Sequence, residues 1–256
     1  MRDNSAVAHG KARGAALRFA ADCASNQTMP VRYELQGAIA TIAIDDGKVN
    51  ALSFEVIAEL GAAIDRAAAD RAAVVLTGRD GVLSAGFDLR VLRGGPPDAL
   101  RLVIAGFELL ERAFGFPGPL VVACPGHAVA MGAFLTLAGD VRIGVRGAYK
   151  LGANEVAIGL VMPHVPTELC RHRLATTHFH RAVATAEMFA PDDAVTAGFL
   201  DRVVAPDELA SAAHDAARRL AELPRPVFVA TKQRARAPTI AALGAALAAD
   251  RADLRV

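Results

Sequence analysis

Two glycine-bearing stretches carry the residue types from which a backbone binding site can be built: LSAGFDL, Leu83 to Leu89, and PGHAVAMG, Pro125 to Gly132. Each follows a short apolar run and leads into a predicted helix start. Helix starts present N–H groups without intrahelical acceptors, and these attract negative charge. Two such loops facing each other would form a two-donor oxyanion hole. It would need only small neighbours that let a ligand reach the main chain. Close strand–helix packing welcomes the same small residues, so the residues by themselves leave both readings open.

Other chemistries find less support. No GxGxxG or GxxxxGK[ST] phosphate cradle occurs. Ser84 sits in GVLSAG, whose glycine spacing is not that of a nucleophile elbow, and a turn role suits it better. His178 and His180 are close in sequence but have no acid or thiol beside them. His164 and His172 are too far apart to chelate as a local pair, so no metal is expected. Cys23, Cys124 and Cys170 show no CxxC spacing, which suits a reducing compartment.

The elements that must position the two loops read as α/β. The 256 residues are 53% hydrophobic and 21% charged, enough for one sizeable core, and the net charge of +1 gives no overall footprint for nucleic acid. No apolar run reaches membrane-spanning length, and the expectation is a soluble, cytoplasmic protein. Residues 1–28 read as an N-terminal extension, possibly disordered by composition, 29–205 as the core and 206–256 as a helical C-terminal region. VRYELQG and AIATIAI, split at Gly37, predict a hairpin. Ser53 predicts a helix cap, with Phe54, Ile57, Leu60 and Ile64 on one face. AAVVLTG, PLVVAC and VRIGV predict buried strands, and RDGVLSAGFDL a loop. Ala99 to Phe114 predicts an amphipathic helix burying Leu100, Val103, Ile104, Phe107, Leu110 and Phe114. Strand then helix, repeated, implies parallel pairing with ligands beyond the strand carboxyl ends.

The wording of both loops resembles the crotonase (enoyl-CoA hydratase/isomerase) superfamily. LSAGFDL is similar to its SAG-x-D-L loop, and PGHAVAMGAFLTLAGDVRIG to its second signature. KVNALS, NEVAIGLVMP and AVTAGFLDRVV follow in the family's order, so the resemblance spans about residues 31–235. It implies a spiral of ββα turns, a C-terminal helical part used in trimerisation (a homotrimer or hexamer), and an acyl-CoA substrate without a separate cofactor. It places the oxyanion donors at the N–H groups of Phe87 and Met131, with Ser84 and Ala85 lining the first loop. Lys48, Arg90 and Lys232 fall where relatives bind coenzyme A.

The acid/base positions are the informative part of the resemblance. Hydratases of the family use two glutamates. The first position is Phe134 here, and the second is Glu155. A single glutamate resembles the Δ3,Δ2-enoyl-CoA isomerases, and the apolar run Val156 to Met162 predicts that Glu155 is shielded from solvent. A phenyl ring at the first position should dry the pocket and push the Glu155 carboxyl upward. Two alternatives stay open: a hydratase recruiting Glu108 or Glu111, and a non-catalytic acyl-CoA-binding protein.

Overall fold

The computed structural model describes residues 29–253. Residues 1–28, Cys23 among them, lie outside that range, so the expected N-terminal extension does too. Strands β1 (Val31–Gln36) and β2 (Ile39–Ile44) form the predicted hairpin, turning at Gly37 with φ +59°. Helix α1 (Phe54–Ala69) starts at Ser53, whose hydroxyl accepts from the Val56 N–H at 3.2 Å. Ile57, Leu60 and Ile64 are buried as expected, joined by Val56.

A repeating unit then follows. β3 (Ala73–Thr77), β4 (Gly81–Ser84), α2 (Leu89–Leu92) and α3 (Pro96–Phe114) make one turn. β5 (Leu120–Cys124), β6 (Gly126–Val129) and α4 (Met131–Ala138) make the next. β7 (Val141–Val145), β8 (Leu151–Gly152), a 3₁₀ turn (Val156–Ile158) and α5 (His164–Arg173) make the third. In each turn the first strand joins a six-stranded sheet, β1-β2-β3-β5-β7-β9, and the second joins a three-stranded parallel sheet, β4-β6-β8. The chain continues through α6 (Thr176–Ala184), α7 (Pro191–Ala197), β9 (Arg202–Val204), α8 (Leu209–Ala221) and α9 (Arg225–Asp253).

The period-2 alternation of strands divides the core. Val74 and Leu76 of β3, with Leu120 and Val122 of β5, face the main core under α1, α3 and α4. Val75 of β3 and Val121 of β5 face the opposite side, where Leu209, Ala213, Ala216 and Ala217 of α8 cover them. The six-stranded sheet is therefore buried on both faces, which explains why its central strands are unbroken apolar runs.

Three local expectations are corrected. The segment read as a loop after β3 contains β4, because its residues pair with β6. Helix α3 begins three residues earlier than its periodicity indicates, with two prolines in its first turn. Its buried face is carried by Leu102, Phe107, Leu109, Leu110 and Phe114, while Leu100, Val103 and Ile104 are only half-buried. Among the described residues no helix is long and apolar enough to cross a membrane.

Candidate active site

The three strands of the small sheet run parallel, and the chain leaves each one at the same end. Phe87 lies three residues beyond the end of β4, Met131 two beyond β6 and Glu155 three beyond β8. Two main-chain donors and one carboxylate are thus delivered from the carboxyl ends of three adjacent strands, the usual place for a ligand in parallel sheets.

The first loop is fixed from below. The Ser84 hydroxyl donates to the Asn50 carbonyl at 2.7 Å and accepts from the Gly86 N–H at 3.1 Å. Asn50, itself at φ +53°, donates through Nδ2 to the carbonyls of Ile44 and Leu83. The Leu52 N–H donates to Gly86 O, and the Asp88 N–H to Leu52 O, so Leu52 brackets Phe87 in a parallel bridge. In such a bridge the bracketed residue turns its own N–H to the opposite side, away from Leu52. The Phe87 ring lies over Gly106 of α3, where a Cβ would come within 2.3 Å of it.

The second loop is strained. Ala130 holds φ +51° and ψ −122°, a conformation that costs an alanine on the order of 1–3 kcal/mol. The compensation is in its contacts. Its N–H donates to Gly152 O at 2.9 Å, which ties the end of β6 to the end of β8. The next residue, Met131, opens α4, and its N–H has no intrahelical acceptor. Gly132 presses on the end of β4, since a Cβ there would lie 2.2 Å from Ser84 O. A Cβ at Gly86 would lie 3.0 Å from Ala130 Cβ and 3.7 Å from Met131 N, so the two loops are in contact.

Glu155 stands at the start of the 3₁₀ turn, which Gly159 closes in the left-handed region at φ +82°. Its Oε2 is buried with no hydrogen-bond partner among the described residues. Burial pushes the carboxyl up to about 7, against the pull of the Glu155 and Asn154 N–H groups. Its charge reaches the buried Cys170 thiol of α5, which burial and then Glu155 push upward. The shielding does not come from the apolar run that follows, and here the sequence reading is corrected. Val156, Ile158 and Leu160 are exposed and Val161 is 91% exposed. The 3₁₀ turn and the residues after it point those side chains outward, while Glu155, at the N-cap just before the turn, buries its Oε2.

The remaining expected residues divide. Ala85 is exposed beside Phe87, and its N–H donates to Val49 O. Lys48 is exposed, and its carbonyl accepts from Arg79. Arg90 is largely exposed, its guanidinium held by Asp88, whose carboxyl that hydrogen bond lowers. Phe134 is 1% exposed and packs in the main core three residues beyond Met131. Ser84 and Lys232 are engaged elsewhere. Ser84 is fully buried with its hydroxyl used in the loop. Lys232 points into the protein, donating to Gly118 O and to Asp140 Oδ2, both at 2.8 Å. The Ser84 hydroxyl is used within its own loop, and Lys232 lies at the other end of α4, beside Asp140. Lys232's partner lies ninety-two positions away, beyond any local sequence signal.

Glu108 and Glu111 both turn toward α9. Glu108 pairs with Arg251, and Glu111 Oε1 approaches Gly244, its carboxyl raised by burial. Among the described residues no three His, Cys, Asp or Glu side chains gather as a metal site.

A ββα spiral with paired main-chain donors and a carboxylate at the ends of its inner strands defines the crotonase class of fold. The family profile "Enoyl-CoA hydratase/isomerase" matches residues 34–255, and the chain belongs to that family. A solved enoyl-CoA hydratase/isomerase family protein from Pseudomonas syringae superposes with a TM-score of 0.86 at 45% identity, covering 88% of this chain and 98% of its own. An enoyl-CoA isomerase from Mycobacterium tuberculosis gives 0.84 at 41% identity, with 88% and 98% covered. A probable enoyl-CoA hydratase of Mycobacterium avium is 32% identical over 199 residues, 76% of each chain. The family implies an acyl-CoA substrate, and its members include both hydratases and isomerases.

Proposed function

We propose that the protein is a Δ3,Δ2-enoyl-CoA isomerase. The carrying observation is that Glu155 Oε2 is buried with no hydrogen-bond partner, acidic or otherwise, among the described residues, while the buried Phe134 stands where the family resemblance puts the other hydratase glutamate. Glu155 removes a proton from C2 of a 3-enoyl thioester. The electron pair moves onto the thioester oxygen, held by the Phe87 and Met131 N–H groups, and the dienolate takes the same proton back at C4. Each good oxyanion donor is worth about 2.7–4 kcal/mol to such a charge.

The carboxyl's position near pH 7 supports a group that must both accept and return a proton. Hydration needs more. A bound water requires about 2–4 polar partners, and hydration in this family uses a second carboxylate, a position that Phe134 fills here.

The test offers purified protein 3-hexenoyl-CoA and crotonyl-CoA in separate assays. Formation of 2-hexenoyl-CoA without comparable hydration of crotonyl-CoA is expected. Hydration at the isomerisation rate would overturn the reading. Tight acyl-CoA binding with no turnover of either thioester would assign the chain a binding role instead.

A further inference from the structure

A cavity of about 460 Å³ lies at the opposite end of α4 from Met131. Eight residues of helix separate the two ends, roughly 12 Å of rise. At its mouth are Leu223, 45% exposed, and Val227, 63% exposed, with Phe228 and Pro224 beside them. In its depth are Arg173, Lys232, Arg236 and Asp140, and the Lys232 and Arg236 side chains are each 7% exposed.

The deep groups are short of negative charge. Among the lining residues three cations face one carboxylate, and Asp140 already accepts from Leu120 N, Lys232 and Arg236, each at 2.8 Å, while Asp201, whose charge also reaches Arg173, is paired with Arg142. The arginines partly make up the difference with helix-end carbonyls. Arg236 reaches Phe114 O and Ala138 O, and Arg173 reaches Leu137 O and Gly139 O. Lys232 has protein acceptors for two of its three N–H donors among the described residues. Burial lowers Lys232 to about 8 and Arg173 to about 10. Buried cations without full compensation are costly, and a ligand anion would relieve that cost.

We propose that this cavity binds a small amphipathic anion, a carboxylate on a short apolar chain. The carboxylate would take the open Lys232 donor beside Arg173, and the chain would lie along Phe228, Val227 and Leu223. A bare inorganic anion would satisfy the depth but leave the apolar mouth wet, and the volume falls in the range of roughly 300–1,000 Å³ typical of small-molecule sites. The proposal is independent of which reaction Glu155 performs.

The test is thermal denaturation and calorimetric titration of the full chain with hexanoate and, separately, inorganic phosphate at matched ionic strength. Hexanoate should raise Tm saturably and phosphate should not. Val227→Asp puts a like charge at the mouth without disturbing the buried cluster. It should keep the ligand-free Tm and weaken hexanoate at least tenfold. No saturable shift, equal effects of phosphate and hexanoate, or an undiminished response in Val227→Asp (binding elsewhere, such as beside Glu155) would each overturn the proposal.

Discussion

The two ends of α4 are built in opposite ways. At its carboxyl end the helix's own groups are covered: Arg173 and Arg236 meet the last carbonyls, and Asp140, just beyond, accepts from three donors. At its amino end much less is met. Ala130 offers no side-chain cap and sits in a strained conformation, Met131 presents a bare N–H, and nearby Glu155 has an oxygen with no partner. Both ends hold a shielded acid, yet Asp140 serves cohesion and Glu155 is left ready for a proton. Full pairing marks the acid that holds the fold, and vacancy marks the acid to which the proposed chemistry falls.

That contrast can be broken most sharply at Glu155. Glu155→Gln should cut isomerase turnover by about 10²–10⁴-fold, measured with 3-hexenoyl-CoA. In the unaltered protein kcat/KM should climb about tenfold per pH unit and level off above about 7, as the base form fills. Asp140→Asn attacks the other end. It strips the counter-charge from Lys232 and Arg236 and should cost about 3–5 kcal/mol in urea denaturation, the usual cost of breaking a buried pair.

Gly132→Ala tests the seam between the first loop and α4. Its methyl would meet Ser84 O at 2.2 Å, so one segment must move and the two donors fall out of alignment. A loss of about 10²–10³-fold in kcat is expected, comparable to deleting one donor.

Stability should respond with the opposite sign at the vacant end. The folded Glu155 carboxyl keeps its proton to about 7, whereas the unfolded one loses it near 4.5. The native state therefore binds more protons between those values, and stability falls as pH rises through that window. Glu155→Gln escapes the penalty, and should be more stable than the unaltered protein by up to about 3 kcal/mol at pH 8 and by almost nothing at pH 4. The smallest expected effect is at Ala130→Gly, which relieves the positive φ and should gain about 1 kcal/mol in the same denaturation assay.

Sequence pattern reached the saturated parts through local physics. The hairpin at Gly37, the Ser53 cap and the buried strands are encoded by neighbours within a few residues. The inner strands β4 and β6 are less legible. They are four residues each, GVLS and GHAV, and gain their pairing only within the small sheet, from one another and from β8. Glu155 was legible as an acid with a role only through family resemblance, and the stated reason for its shielding did not hold, because a 3₁₀ turn reverses which side chains face in. Lys232 and Ser84 share one feature that no local pattern shows. Their partners, Asp140 and Asn50, are brought to them by the fold across long stretches of chain.

The convergence of three groups from one small sheet has a mechanical consequence. Phe87, Met131 and Glu155 ride on strands stitched together by their own ladder. When the sheet shifts as a unit, the three move together and their mutual spacing is kept. Thermal agitation then displaces the whole constellation more readily than it distorts it. Side chains around the rim can change with little disturbance to the two main-chain N–H groups, so under the proposed function the same frame would be refitted to new acyl groups while its hold on a thioester oxygen persisted.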